Sequence, residues 1–260
     1  RIEALGLAQS DGGRLRLTAE GRNYALRIIR VHRLWEYYLA EETGTAAAEW
    51  HSSAEYREHD ISASEADHLA EQMGEPAFDP HGDPIPTASG ELPPRRGQPL
   101  TALPIGELAD IVHIEDEPQT IYAQLVAEGI HLGMQVEITE ISSERVRLWG
   151  GGEEYVLAPV IAANIFVVAL PKDRDMEGPF ETLASLGARE KGRVLSISQA
   201  CRGLERRRLM DLGILPGTVI EMEMRSPSGD PTAFRVRGAT IALRKEQANQ
   251  INVEKLVEVA

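Results

Sequence analysis

A fifteen-residue pattern recurs in this chain, and that recurrence constrains the fold more than any other feature of the sequence. Gln124-Leu125-Val126-Ala127-Glu128-Gly129-Ile130-His131-Leu132-Gly133-Met134-Gln135-Val136-Glu137-Ile138 matches Arg208-Leu209-Met210-Asp211-Leu212-Gly213-Ile214-Leu215-Pro216-Gly217-Thr218-Val219-Ile220-Glu221-Met222, position for position. A stretch that recurs within one chain builds the same supersecondary unit twice. Each copy reads as a short helix capped by a glycine (Gly129, Gly213), a turn through a second glycine (Gly133, Gly217), and an alternating strand. Further strand-like runs follow at 145–149 and 154–157, and at 233–237 and 240–243. Each copy then passes an Ala-Asn pair (163–164, 248–249) before a last β-run. The expectation is two small β-rich barrels in tandem.

The first part of the chain has a different period. Thr18 begins a long helix with Glu20 in its first turn, where a carboxylate favours the dipole, and the helix ends at Gly44. Leu26, Ile29, Leu34, Tyr37 and Tyr38 give it a wide apolar face, with Trp35 beside the stripe. A second helix is expected over 46–59, and a third from Ser62, where Ser62 and Glu65 form a capping box, to Gly74. On the first helix His32 and Glu36 are four apart, so they share a face. On the second, His51, Glu55, Glu58 and His59 fall at i, i+4, i+7 and i+8. Such residues on an amphipathic helix are ordinarily solvated surface, and either stripe alone would be read that way. Two stripes on neighbouring helices, packed face to face, would gather three imidazoles and three carboxylates into one pocket. A nitrogen and oxygen donor set without thiolate suits Mn(II) or Fe(II), with Zn(II) and Co(II) as surrogates.

Charge supports a division of labour along the chain. The net charge is −14, yet residues 1–34 carry seven arginines against three acids, and residues 35–75 carry eleven acids against Arg57 alone. A chain this acidic binds nucleic acid poorly as a whole, so any DNA contact belongs to its basic start. The acidic middle would concentrate divalent cations, although a solvated acidic face has the same composition. The single cysteine, Cys201, excludes an internal disulfide and fits a reducing, cytoplasmic compartment. No histidine lies near it in sequence to support a catalytic thiol. Residues 76–104 hold eight of the fifteen prolines and read as an extended, semi-rigid tether; Pro93-Pro94-Arg95-Arg96 within it could instead dock on an aromatic groove.

The run Leu15-Arg16-Leu17-Thr18-Ala19-Glu20-Gly21-Arg22, followed by His32-Arg33-Leu34, His51, Glu55, Glu58-His59-Asp60-Ile61-Ser62 and Phe78-Asp79-Pro80-His81-Gly82-Asp83-Pro84-Ile85-Pro86, resembles the diphtheria-toxin-repressor family. These are metal-activated transcriptional repressors of iron and manganese uptake, and the resemblance covers roughly residues 1–90. It implies that His32, Glu36 and His51 are ligands of one metal site, and that Glu55, Glu58 and His59 are ligands of a second or shared site. Glu at position 55, where iron-sensing members tend to carry Cys, places the chain nearer the manganese branch. It also implies that the opening hairpin (Leu7-Ala8-Gln9, a Ser-Asp-Gly-Gly turn at 10–13, and Arg14-Leu15-Arg16-Leu17) is the wing of a winged helix-turn-helix. Arg14 and Arg16 would then reach DNA phosphates, and Arg1-Ile2-Glu3 would end a recognition helix lying upstream. The second β-copy, Leu183 to Val253, resembles the FeoA family of SH3-like domains through Arg208-Leu209-Met210-Asp211-Leu212-Gly213-Ile214-Leu215-Pro216-Gly217, Val236-Arg237-Gly238 and Ala242-Leu243-Arg244; the first copy is a more divergent relative. In iron-sensing repressors a barrel lends a Glu and a Gln to the ancillary metal site. Glu115, Asp116, Glu117 and Gln119 lie in the corresponding region, but their spacing does not match, and they are not assigned as ligands.

The expected architecture is therefore α+β and multi-domain. A winged-helix remnant spans 1–18, a helical metal-binding and dimerisation domain 19–75, a Pro-rich linker 76–104, a first FeoA/SH3-like domain 105–170, a linker 171–182 and a second FeoA/SH3-like domain 183–260. The expected function is a homodimeric, metal-responsive (Mn or Fe) repressor of metal-uptake genes, in which the ion stabilises the DNA-binding dimer. No activated nucleophile or phosphate loop occurs, so no enzymatic activity is expected. Two alternatives use the same residues: the cytosolic sensing tail of a metal permease, which alone would bring a membrane into play, or a FeoA-type adaptor whose second β-domain meets a protein partner.

Overall fold

A computed structural model describes residues 2–11, 13–172 and 181–256. Arg1, Gly12 of the hairpin turn, residues 173–180 of the second expected linker and residues 257–260 lie outside the described residues.

The hairpin pairs β1 (Ala8–Asp11) with β2 (Arg14–Leu17) in antiparallel register, Ala8 opposite Leu17. It leads directly into α1 (Ala19–Glu42), whose N-cap Thr18 accepts a hydrogen bond from the Gly21 amide. Hairpin and helix touch so closely that a Cβ on Gly21 would lie 1.7 Å from the Leu7 carbonyl oxygen. After a short 3-10 turn at Ala47–Glu49 come α2 (Trp50–Arg57) and α3 (Ala63–Gln72). Ser62 and Glu65 form a capping box at the start of α3, as the sequence predicts. Val31 and Leu34 of α1 are buried against Ala66 and Ala70 of α3 and against Ile85. One turn further on, Leu39 and Ala40 are buried against Trp50.

The repeated segment folds as two copies of one topology. The first comprises β3 (Gln98–Pro99), β4 (Leu108–Ile114), α4 (Gln119–Ala127), β5 (Gln135–Ile141), β6 (Val146–Gly150), β7 (Glu153–Leu157), α5 (Pro159–Ala162) and β8 (Ile165–Ala169). The second comprises β9 (Glu181–Thr182), β10 (Lys191–Ile197), α6 (Gly203–Asp211), β11 (Val219–Arg225), β12 (Thr232–Val236), β13 (Ala239–Leu243), α7 (Lys245–Asn249) and β14 (Ile251–Leu256). Strand order is β3-β8-β4-β5-β6-β7 in one sheet and β9-β14-β10-β11-β12-β13 in the other, which is the same order copy for copy. Even the register shifts recur, between Ile111 and His113 and between Val194 and Ser196. Matching residues fill matching cores: Leu125 and Leu209, Ile130 and Ile214, Val136 and Ile220 are all buried.

The Pro-rich stretch departs from a simple tether. Its residues 79–86 are buried, wedged between α1 and β4. Of the Pro-Pro-Arg-Arg segment, Arg96 lies over the Phe78 ring at 4.1 Å and Arg95 lies 3.6 Å from Asp83, so both arginines bind within the chain.

Candidate metal centre

The long helix α1 supplies His32 and Glu36 from one face, and the first turn of α2 brings His51 against them. Glu36 is 1% exposed and stands at the focus of the cluster. Its Oε1 lies 3.2 Å from His32 Nε2, 3.5 Å from His51 Nδ1 and 3.5 Å from His81 Nε2. His51 Nδ1 in turn lies 2.7 Å from Asp116 Oδ2. Two overlapping sets of donor atoms result, His32–Glu36–His51 and Glu36–His81–Asp116, each with its atoms within 4.8 Å of one another.

His81 reaches this point through a tightly determined loop. Asp79 accepts hydrogen bonds from the amides of His81 and Asp83, both at 2.9 Å, and thereby closes the turn. Gly82 has φ +94°, and a Cβ there would lie 2.1 Å from the Val112 carbonyl oxygen, so only glycine allows the loop to press against β4. The His81 carbonyl accepts from the Ile114 amide at 2.9 Å and from His113 Nδ1 at 3.1 Å. From the other side Arg33 of α1 donates to the Pro84 carbonyl at 2.6 Å and lies 3.1 Å from Asp83 Oδ1. The ring of His81 is packed edge-on between Trp50, at 5.7 Å, and Tyr122 of α4, at 4.7 Å. Asp116 comes from the loop joining β4 to α4 in the first β-domain.

The electrostatics are those of a buried charge cluster. Burial works to raise the Glu36 carboxyl, but His32, His51 and His81 outweigh it and hold the group well below the usual carboxylate range. Contact with Glu36 comes first among the causes that push His51 up to about 9. Burial depresses His32 and His81, yet the facing carboxylates win and both are raised. Asp79 is raised, because burial disfavours its charge.

The donors fit a divalent cation better than they fit one another. Both ring nitrogens of His81 are buried with no hydrogen-bond partner. His51 Nδ1 is also without an aligned partner, although Asp116 is only 2.7 Å away. Buried polar atoms left unpaired are costly, so a site that keeps several of them calls for a ligand. Imidazole and carboxylate donors suit Mn(II), Fe(II) or Zn(II).

The other residues singled out from sequence lie differently. Glu58 Oε2 receives a hydrogen bond from His32 Nδ1 at 2.7 Å, behind the ring, where it fixes the tautomer that leaves Nε2 facing Glu36. His59 is 65% exposed and lies 3.5 Å from Glu58, and Glu55 is exposed. Among the described residues, Glu55, Glu58 and His59 do not converge on a shared point as the first group does. Positions four, seven and eight apart share a helical stripe, but Glu55, within α2, is exposed, and Glu58 and His59 follow the helix end at Arg57. His81 and Asp116 were not assigned from sequence, for neither sits on a helix where spacing could expose it. The available signals were a histidine inside the Asp-Pro-His-Gly-Asp-Pro turn and the acidic run at 115–117. Arg14 and Arg16 lie on the exposed strand β2, where Arg16 is 3.7 Å from Asp11.

Comparison with known proteins places this geometry in context. Residues 18–87 match the family model of the iron dependent repressor, metal binding and dimerisation domain, and residues 181–255 match the FeoA domain. The diphtheria toxin repressor of Corynebacterium glutamicum is 32% identical over 150 residues, covering 53% of this chain and 65% of that protein. A probable metal transport system membrane protein of Chlamydia pneumoniae is 38% identical over 91 residues, covering 35% of this chain and 20% of that protein. This chain thus spans less than two thirds of either curated relative. Among solved structures, a manganese-dependent transcriptional repressor in complex with manganese superposes with a TM-score of 0.60 at 30% identity, over 65% of this chain and 80% of that one. The shared helical unit, the FeoA match and this coverage together show that the chain belongs to the diphtheria-toxin-repressor family.

Proposed function

We propose that this chain is the sensing and dimerising part of a metal-responsive transcriptional regulator, with Mn(II) or Fe(II) as its effector and Zn(II) or Co(II) as surrogates. One observation carries the reading: a buried cluster built from α1, α2, the 79–86 loop and the first β-domain contains imidazole nitrogens without partners. His32, Glu36, His51, His81 and Asp116 would hold the ion, with Glu58 orienting His32. The ion would take the place of the protons that the carboxylates hold on the facing imidazoles, and its ligands come from segments far apart in sequence. Binding would therefore favour the arrangement in which helices and β-domain are docked together.

Dimerisation and DNA binding complete the reading. The solved manganese repressor supports the metal, and the family model supports the dimer. Trp35 and Tyr38 stack at 5.0 Å on α1, Arg57 lies over Trp35, and Tyr56 is 81% exposed, which leaves aromatic surface for a second copy. Arg14 and Arg16 on the hairpin would lie against DNA phosphates. A cytoplasmic location accords with this role, and no helix among the described residues is long and apolar enough to cross a membrane.

A second reading is favoured by the likeness to the chlamydial metal transport membrane protein. There the same centre would sense metal as an appendage of a transporter. Both readings require the same ion at the same residues and differ only in the output. Titration calorimetry with Mn(II) on the wild-type chain and on Asp116→Ala tests their common core. Saturable binding that weakens at least tenfold in the variant supports it, and an isotherm unchanged by the substitution removes it. A gain in operator affinity on adding Mn(II) then selects the repressor over the transporter appendage.

A further inference from the structure

The C-terminal end of α1 is chemically incomplete within its own helix. Its last residues include Glu41 and Glu42, the last turn contains no basic residue, and the negative end of the helix dipole adds to the repulsion. Terminal carbonyls also need donors from outside the helix. The missing groups come from the second β-domain. Arg202 lies 3.2 Å from Glu41, and Arg207 reaches both oxygens of Glu42, at 3.1 and 3.0 Å. The Leu204 amide lies 3.4 Å from the Thr43 carbonyl oxygen. Gly203, at φ +56°, comes so near that a Cβ would lie 2.3 Å from the Thr43 oxygen and 2.8 Å from that of Ala40. Beside it, Gln199 packs its side chain onto Gly133 of the first β-domain.

The internal repeat shows what is particular about this contact. Because Gln124 corresponds to Arg208, Gln119 corresponds to Gly203; the loop before them is one residue longer in the second copy (198–202 against 115–118), so Asp116 stands opposite Gln199 and Ala200, neither of them acidic. Both β-domains present the same edge to the helical unit: Gln119 donates to the Ala48 carbonyl at 3.0 Å, and Gly203 sits on Thr43. The first copy adds a carboxylate to the centre at this edge, whereas the second has no acidic residue over 198–202 and directs two arginines at α1. A mechanical path runs from here to the centre. Ala40 and Leu39 pack on Trp50, and Trp50 adjoins His51 and stacks edge-on against His81.

We propose that the second β-domain of the same chain caps α1, and that Arg202, Gly203 and Arg207 are positioning residues for the metal centre. The capping half stands on the contacts alone, and its effect on metal affinity rests on the metal reading above. The test uses the full chain carrying Arg202→Ala with Arg207→Ala, a Gly203→Val variant, and a charge swap that adds Glu41→Arg and Glu42→Arg to Arg202→Glu and Arg207→Glu. In the metal-free protein, amide exchange over residues 36–43 should quicken roughly threefold to tenfold in the double alanine and valine variants and return toward wild type in the swap. Exchange in β11 and β12 reports that the second β-domain remains folded. Mn(II) affinity by calorimetry should fall by a similar factor in the first two variants. Unchanged exchange over 36–43 with β11 and β12 protected overturns the cap. Faster exchange at unaltered Mn(II) affinity overturns the coupling to the centre. If wild type itself binds no Mn(II), the metal reading fails, and the exchange comparison still decides the cap.

Discussion

Replacing His81 with Leu separates a ligand from a packing residue. Leucine is close to histidine in volume and has no polar side-chain atoms, so the contacts with Trp50 and Tyr122 remain apolar and filled. The backbone of residue 81 keeps its hydrogen bonds to Asp79, Ile114 and His113. In the metal-free chain two effects oppose. Losing two unpartnered nitrogens relieves about 1–3 kcal/mol for each buried unsatisfied group. Against this, Glu36 loses one of three imidazole neighbours and keeps His32 at 3.2 Å and His51 at 3.5 Å. The metal-free variant should therefore lie within about 2 kcal/mol of wild type. The metal response should not survive. At an ion concentration of about 100 Kd, wild type gains about 2.7 kcal/mol from binding. Affinity weakened about 100-fold, as expected on losing a ligand, leaves only about 0.4 kcal/mol at the same concentration. By the usual scaling for a chain of this size, the Mn(II)-induced rise in Tm drops from about 5–10 °C to about 1 °C. Thermal unfolding with and without Mn(II), alongside calorimetry, measures both quantities. A variant destabilised by several kcal/mol without metal, yet showing the full Mn(II) response, would mean that His81 is a packing residue and refute the reasoning.

Other substitutions probe the remaining parts. Glu58→Gln keeps an acceptor behind His32 but removes its charge, so Mn(II) affinity should fall about tenfold while metal-free stability changes little; calorimetry and denaturant unfolding check it, and an unaltered Kd counts against an orienting role. Glu55→Ala combined with His59→Ala should leave the isotherm of this centre within about twofold of wild type, since such surface changes are ordinarily near neutral; loss of a binding event would return those residues to the ligand set. Gly82→Ala should destabilise the chain by about 3 kcal/mol or more, given its positive φ and the 2.1 Å approach to Val112, and should weaken Mn(II) binding by displacing His81. Leu34→Ala, fully buried between α1 and α3, should cost about 2–5 kcal/mol in denaturant unfolding.

What could be read from the sequence follows from how far apart the cooperating residues lie. The duplicated β-units were legible because their glycines and alternating strands are local signals, and the structure repeats even the bulges. The helices were legible too, with Ser62 capping α3 as expected and α1 ending at Glu42, two residues before Gly44. Helical periodicity brings His32 and Glu36 to one face and the adjacent helix brings in His51, and the structure gathers the same three side chains. Periodicity says nothing about a turn or about a loop from another unit, so it does not reveal His81 or Asp116. On α2 it groups Glu55, Glu58 and His59 with His51, whereas in the structure Glu55 is exposed and Glu58 and His59 follow the helix end at Arg57. The buried loop at 79–86 reads as a tether in the sequence because proline and glycine content is the same in a tether and in a clamp. The difference lies in the partner, here Arg33 on one side and Ile114 on the other.

The placement of these donors explains why a sensor of this kind would be built across domains. A site wholly within α1 and α2 would bind its ion whether or not the β-domain was docked, and the ion would report nothing about the rest of the chain. Here Glu36 is shared between a set closed by the helices and a set that needs both the loop and Asp116. Ion binding at the second set is thermodynamically inseparable from docking of the first β-domain, because a ligand shifts an equilibrium only by its differential affinity for the two states. The same reciprocity runs the other way: whatever stabilises the docked arrangement without metal raises the affinity for it. The Arg33 contacts to the loop and the arginines of the second β-domain on α1 both act in that direction. On this reading metal affinity would depend on residues that never meet the ion as well as on those that would hold it.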